Sequence, residues 1–174
     1  MIGVGNVLLG DDGVGVRVVE ALEAAARADP GLLPRDTRLV DGGTLGLDLL
    51  GTVRDARGLV LVDAVRLGGR AGDVRTLDAG DLDTLGRTPD GGTGGGVGEL
   101  LAVARLMGWL PKEVAMVGIE VGELNIGLRL SPAVTGAIPA AVALVRRELR
   151  RMDHNQGNGT LIDEPTRAFA GAMA

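Results

Sequence analysis

No cysteine occurs among the 174 residues, and only two side chains are aromatic, Trp109 and Phe169. The first absence excludes a disulfide framework, a thiol nucleophile and a zinc ribbon. The second, with no tyrosine at all, removes the stacking platforms on which single-stranded nucleic acids are held. Positive charge is also short. Eighteen Lys and Arg stand against 23 Asp and Glu, a formal net charge of −5, which argues against a surface that tracks phosphates. No apolar run approaches the ~18 residues a membrane span needs, and Asp11 and Asp12 stand where a signal peptide would carry Lys or Arg. The expected setting is cytoplasmic, with neither nucleic acid nor membrane as partner.

What the chain has in excess is glycine, 30 residues in clusters with no fixed period, which reads as many tight turns. Strands alternate with helices. The segment Met1–Asp12 reads as the end of a strand turning into a glycine loop, followed by a helix started by Asp11 or Asp12, with Val14, Val18 and Leu22 on one face and Pro30-Gly31 as its stop. Thr37–Asp41 reads as a second strand, followed by the turn Gly42-Gly43 and a helix capped by Thr44. Gly58–Asp63 is an apolar run bounded by turn residues, as a strand buried on both faces is, and is placed at the centre of the sheet. Residues 73–77 suit an edge strand, Thr88–Gly96 a flexible glycine-rich loop, and Val97–Met107 a third helix. A further buried strand, Lys112–Ile119, precedes Ser131-Pro132, a capping hydroxyl and a helix-compatible proline at the head of a long last helix in which Pro139 lies. From Asp153 the hydrophobic period is lost. The expected organisation is one α/β domain over residues 1–152, a three-layer, phosphorylase/hydrolase-like sandwich on a mainly parallel twisted sheet, with residues 153–174 as a disordered tail. Met1-Ile2 leaves the first strand well short of the usual length of about five or six residues, so a start upstream of Met1 is expected.

In an open α/β sheet, ligands gather at the carboxyl ends of the strands, and Asp12, Asp41 and Asp63 all follow or end strands there. Each has a plain alternative: a helix N-terminus for Asp12, a Gly-Gly turn for Asp41, a strand-end cap for Asp63. Three carboxylates converging from separate strands repel one another, an arrangement kept where a metal or a catalytic proton uses them. A nucleotide reading fails. Leu8 occupies the place of the third glycine of the dinucleotide fingerprint, Gly5 to Gly10 does not run into Lys-Ser/Thr, and Asp12 would repel a phosphate at the helix start. No Ser-His-Asp or Cys-His set exists, because the one histidine, His154, lies in the tail, where a solvated side chain and a folded-back metal ligand are both open readings. Hydrolysis would need a water activated by a metal or a carboxylate.

The run Gly3-Val-Gly-Asn-Val-Leu-Leu-Gly-Asp-Asp-Gly-Val-Gly-Val-Arg17, then Asp41-Gly42-Gly43-Thr44, then Leu59-Val-Leu-Val-Asp-Ala64, resembles the hydrogenase maturation proteases. The likeness continues in collinear order through Val117-Gly-Ile119 and Gly127-Leu-Arg-Leu-Ser-Pro132. It implies an endopeptidase that removes the C-terminal extension of a [NiFe]-hydrogenase large-subunit precursor. In this family a metal, taken to report on the nickel of the precursor, is held by an acidic residue after the first strand, an aspartate after the third, and a histidine in a later loop. By position these are Asp12, Asp63 and Thr93, a hydroxyl where the family has imidazole. Asp41, Gly42, Gly43 and Thr44 are implied to face the substrate. Two carboxylates without imidazole suit hard cations better than nickel, so Thr93→His is expected to tighten nickel binding, unless His154 or Asp90 already supplies a third ligand. The alternative is a catalytically degenerate member of the same fold that has lost its metal site and serves as a binding or chaperone-like protein.

Overall fold

A computed structural model describes residues 1–78, 80–82, 96–122 and 124–159. Five strands form one sheet: β1 (Ile2–Val4), β2 (Val40–Gly43), β3 (Gly58–Val65), β4 (Val74–Leu77) and β5 (Glu113–Glu120). Their spatial order is β2-β1-β3-β5-β4, all parallel except β4, which runs antiparallel to β5 at the edge. Helices α1 (Val14–Ala28) and α4 (Pro132–Gly159) cover one face, and α2 (Leu50–Arg54) and α3 (Val97–Leu106) the other. The result is the expected three-layer α/β sandwich.

Each layer follows from its sequence. Val14, Val18 and Leu22 are fully buried and form the inner stripe of α1, while β3, central and covered on both faces, is apolar along nearly its whole length. Val134, Ala137, Ala141 and Val145 do the same for α4, whose start is capped as expected: the Val134 N–H donates to Ser131 Oγ at 3.4 Å, with Pro132 in the first position. The close fit of α1 on the sheet depends on Gly15, where a Cβ would overlap the carbonyl oxygens of both Val4 and Val62.

Several boundaries differ from expectation. β2 begins at Val40 because residues 34–37 turn back on themselves, Thr37 N–H to Pro34 O, and pairing starts only where β1 offers a partner, Ile2 opposite Val40. Neither Asp11 nor Asp12 caps α1. Both lie in a 3-10 turn, Gly10–Gly13, and the capping position is Gly13 with no side-chain bond. Thr44 is likewise no cap, since the turn Gly46–Leu49 that leads into α2 starts after Leu45. Asp63 does not close β3, which runs on to Val65. The last helix continues through Asp153 to Gly159 despite its polar sequence. Met152 is buried beneath it, and Arg151 and Asn155 both donate to Glu113, at 3.1 and 3.2 Å. Thr88–Asp90, the glycines up to Gly95 and residues 160–174 lie outside the described residues.

Candidate active site

β1 has β2 on one side and β3 on the other, and the chain leaves β1 for β2 over one face and β2 for β3 over the other. Such a switch opens a crevice at the carboxyl ends of the two strands it separates. A cavity of about 310 Å³ lies there, lined by Val4, Gly5, Asp12, Gly43, Thr44, Gly46, Leu49, Asp63, Gly96, Glu99 and Leu100. It brings Asp12 and Asp63 together, and among the described residues no basic side chain lines it.

Asp12 is half-buried, and its Oδ2 accepts the Asn6 N–H at 2.7 Å. That turn folds tightly because Gly5 adopts φ +127°, where a Cβ would overlap the carbonyl oxygen of Asp12. Asp63 is 6% exposed, and among the described residues its one hydrogen bond is from the Ala64 N–H to Oδ1, at 2.8 Å. Burial pushes its carboxyl up to about 7, the single N–H opposes this, and the charge of Asp12 adds to the rise. The neighbouring Asp11 is spent differently. It is buried, and its Oδ1 accepts the Ser131 N–H at 2.6 Å, tying the 3-10 turn to the head of α4.

Asp41 is exposed within β2, and its Oδ1 accepts the Gly43 N–H at 3.0 Å, closing its own turn. Gly42 is buried, with Ile2 and Leu49 closest to where its side chain would stand, whereas Gly43 and Thr44 line the cavity. Thr93 lies outside the described residues; Gly96, three residues on, is part of the lining. His154 is carried elsewhere. Gly58, at the start of β3, sits under Met152 and Gln156, so this end of α4 lies at the amino edge of the sheet, away from Asp63, and the folded-back ligand is not formed. Sequence reading missed Glu99, an exposed acid in the first turn of α3 that borders the cavity; its place directly after the glycine loop was the available signal.

A somewhat larger hollow, about 370 Å³, opens at the amino edge. Two of its three aspartates are neutralised, Asp36 by Arg57 at 2.6 Å and Asp55 by Arg54 at 2.8 Å. Chemistry favours the carboxyl-edge cavity, which sets the half-buried Asp12 against the buried Asp63.

A family model described as hydrogenase maturation protease matches residues 16–148. The chain belongs to the hydrogenase maturation proteases. It is 38% identical over 152 residues to the hydrogenase expression/formation protein HupD of Rhodobacter capsulatus, covering 86% of this chain and 70% of that protein. It is 32% identical over 151 residues to the hydrogenase 2 maturation protease of Escherichia coli (strain K12), covering 86% and 89%. Among solved structures, the hydrogenase maturating endopeptidase HybD from E. coli matches at a TM-score of 0.69 and 31% identity, over 86% of this chain and 90% of that one. The [NiFe] hydrogenase maturation protease HybD from Thermococcus kodakarensis shares the fold at a TM-score of 0.67 and 20% identity, over 85% and 96%. Among the described residues of this maturation protease, no group of three or more His, Cys, Asp or Glu is arranged to hold a metal ion, and no helix is long and apolar enough to cross a membrane.

Proposed function

We propose that the chain is a cytoplasmic endopeptidase that removes the C-terminal extension of a [NiFe]-hydrogenase large-subunit precursor, and that nickel already inserted in the precursor is what the cavity reads. The observation that carries this is the pairing of Asp12 and Asp63 in one crevice, with no basic side chain among its described lining residues. Two carboxylates are too few to hold a resident nickel, and their oxygens are harder donors than nickel prefers. They fit better a metal that arrives with most of its ligands supplied by the substrate.

The chemistry follows from the proton on Asp63. With the cavity empty of cations, burial and the charge of Asp12 keep that carboxyl protonated up to about neutral pH. An arriving cation favours both carboxylates ionised, so docking discharges the proton and leaves Asp63 able to take another from a water molecule. That water attacks the carbonyl carbon of the peptide bond lying over Gly43 and Thr44. The proton then passes to the departing amine as the C–N bond breaks. Asp12, fixed by the Asn6 N–H, keeps its position through the cycle.

The test is to mix the purified chain with nickel-loaded large-subunit precursor and weigh the products by mass spectrometry. Loss of a C-terminal segment is expected, and its absence with nickel-free precursor. A precursor that binds the chain but stays intact would transfer the assignment to the non-catalytic binding protein. Isolated from its substrate, the chain is expected to bind nickel weakly in calorimetric titration, and Thr93→His to bind it more tightly.

A further inference from the structure

Two short segments lie side by side at the carboxyl edge, Asn6–Leu9 and Leu124–Leu128. They are joined by a parallel bridge at Leu9 and Gly127: the Gly10 N–H donates to Gly127 O at 2.7 Å, and the Gly127 N–H to Leu8 O at 2.9 Å. The bridge sets Leu8 beside Leu9 in one segment against Ile126 and Leu128, which flank Gly127 in the other. Leu8, Ile126 and Leu128 stand in solvent, 59%, 92% and 63% exposed. A lone exposed leucine needs no explanation, but three neighbours do.

Their backbone is braced. The Leu128 carbonyl accepts from Arg17 Nη2 at 3.4 Å, and three residues later Ser131 is held by Asp11. Neither segment contains a charged residue, in a chain where 24% of residues are charged. The ledge is also bonded directly to the cavity. The Leu8 N–H donates to Asn6 Oδ1 at 2.9 Å, and the Asn6 N–H donates to the Asp12 carboxylate.

We propose that Leu8, Ile126 and Leu128 form a ledge that seats an uncharged, apolar stretch of the precursor polypeptide beside the bond that is cut. The inference rests on the protease reading above. A polypeptide is the fitting occupant because three aliphatic side chains cover far less than the roughly 800 Å² per partner of a stable dimer, yet suffice to add affinity to a chain already held at the cavity. The adjacent carboxylates select against acidic residues in that stretch.

The experiment measures processing of nickel-loaded precursor, its binding by calorimetry and the melting temperature for the full chain, for Ile126→Asp and Leu128→Ser, and for Leu106→Asp. Leu106 is 87% exposed at the far end of α3 and serves as the control. Expected is a KM about tenfold or more higher for Ile126→Asp and somewhat less for Leu128→Ser, with kcat and melting unchanged, and no effect of Leu106→Asp. An unchanged KM in both ledge variants while the parent chain processes normally overturns the ledge alone. So does a parent dimer in light scattering that Ile126→Asp dissociates with KM unchanged, which gives the ledge to a second copy. Should the parent chain leave the precursor intact, the protease reading falls and the ledge is judged on binding: it stands if Ile126→Asp weakens precursor binding tenfold and falls if it does not.

Discussion

The carboxyl ends of β3 and β5 lie next to each other in the sheet, and each carries a buried acid, Asp63 at 6% exposure and Glu120 at 4%. Glu120 is satisfied by the protein. The Leu67 N–H donates to both its oxygens, at 2.9 and 3.0 Å, and the Gly68 N–H to one of them at 3.1 Å. Among the described residues Asp63 has a single donor, its neighbour's N–H, and a like charge in the same cavity. Burial is nearly equal, so burial does not separate a structural carboxylate from a chemical one here. What separates them is how many donors the fold supplies. Glu120 has donors enough to hold the loop after β3, whereas Asp63 is left with acceptor capacity that the described residues do not use.

The contrast is broken most severely at Asp63. Asp63→Asn is expected to cut processing about 10²- to 10⁴-fold, the usual contribution of a positioned acid or base, as read by the rate of precursor cleavage. The same change should raise the melting temperature at pH 8. Asp63 titrates near 7 in the folded chain against an ordinary 3.8, so the native state binds the extra proton between those values. Stability attributable to this group therefore falls as pH rises from about 4 to 7, and the deficit is complete above 7. Melts of parent and variant should converge near pH 4 and separate towards pH 8, with the variant higher; parallel curves would remove the buried-proton argument. Glu120→Ala should do the reverse, costing about 2–3 kcal/mol in a denaturant titration by stranding the Leu67 and Gly68 N–H groups, with cleavage per folded molecule retained. The smallest effect is expected from Asp12→Asn on its neighbour. Removing one like charge should lower the pH at which Asp63 titrates, followed by carbon NMR of its carboxyl, while burial, the larger cause, keeps it above the ordinary value.

Much of this arrangement was legible in the residues. The run Leu59–Val62 marked the central strand, the spacing of Val14, Val18 and Leu22 the inner face of α1, and Ser131-Pro132 the head of α4. These are local patterns, read at the period of one element. The illegible parts depend on partners far along the chain. Asp11 and Asp12 are identical and adjacent, yet the twist of a 3-10 turn sends one to Ser131 and the other to the cavity. Asn155 extends α4 because Glu113 waits on β5, which no window around Asn155 contains. β2 starts where β1 can pair with it, and Thr44 serves the cavity because Leu45 and Gly46 turn the chain before a helix can begin. Asp12 and Asp63 were picked out by their common place after strands and by family likeness; that they share a crevice follows from the strand order.

The bond from Ser131 to Asp11 spans 120 residues. On the ribosome, Asp11 is made early, and its partner follows all five strands of the sheet. Until then the turn bearing Asp12 lacks the tether to the head of α4, and the ledge segment at Leu124–Leu128 has not been laid against Leu8. A nascent or truncated chain thus carries Asp12 and Asp63 before the turn that bears Asp12 is tied to the head of α4.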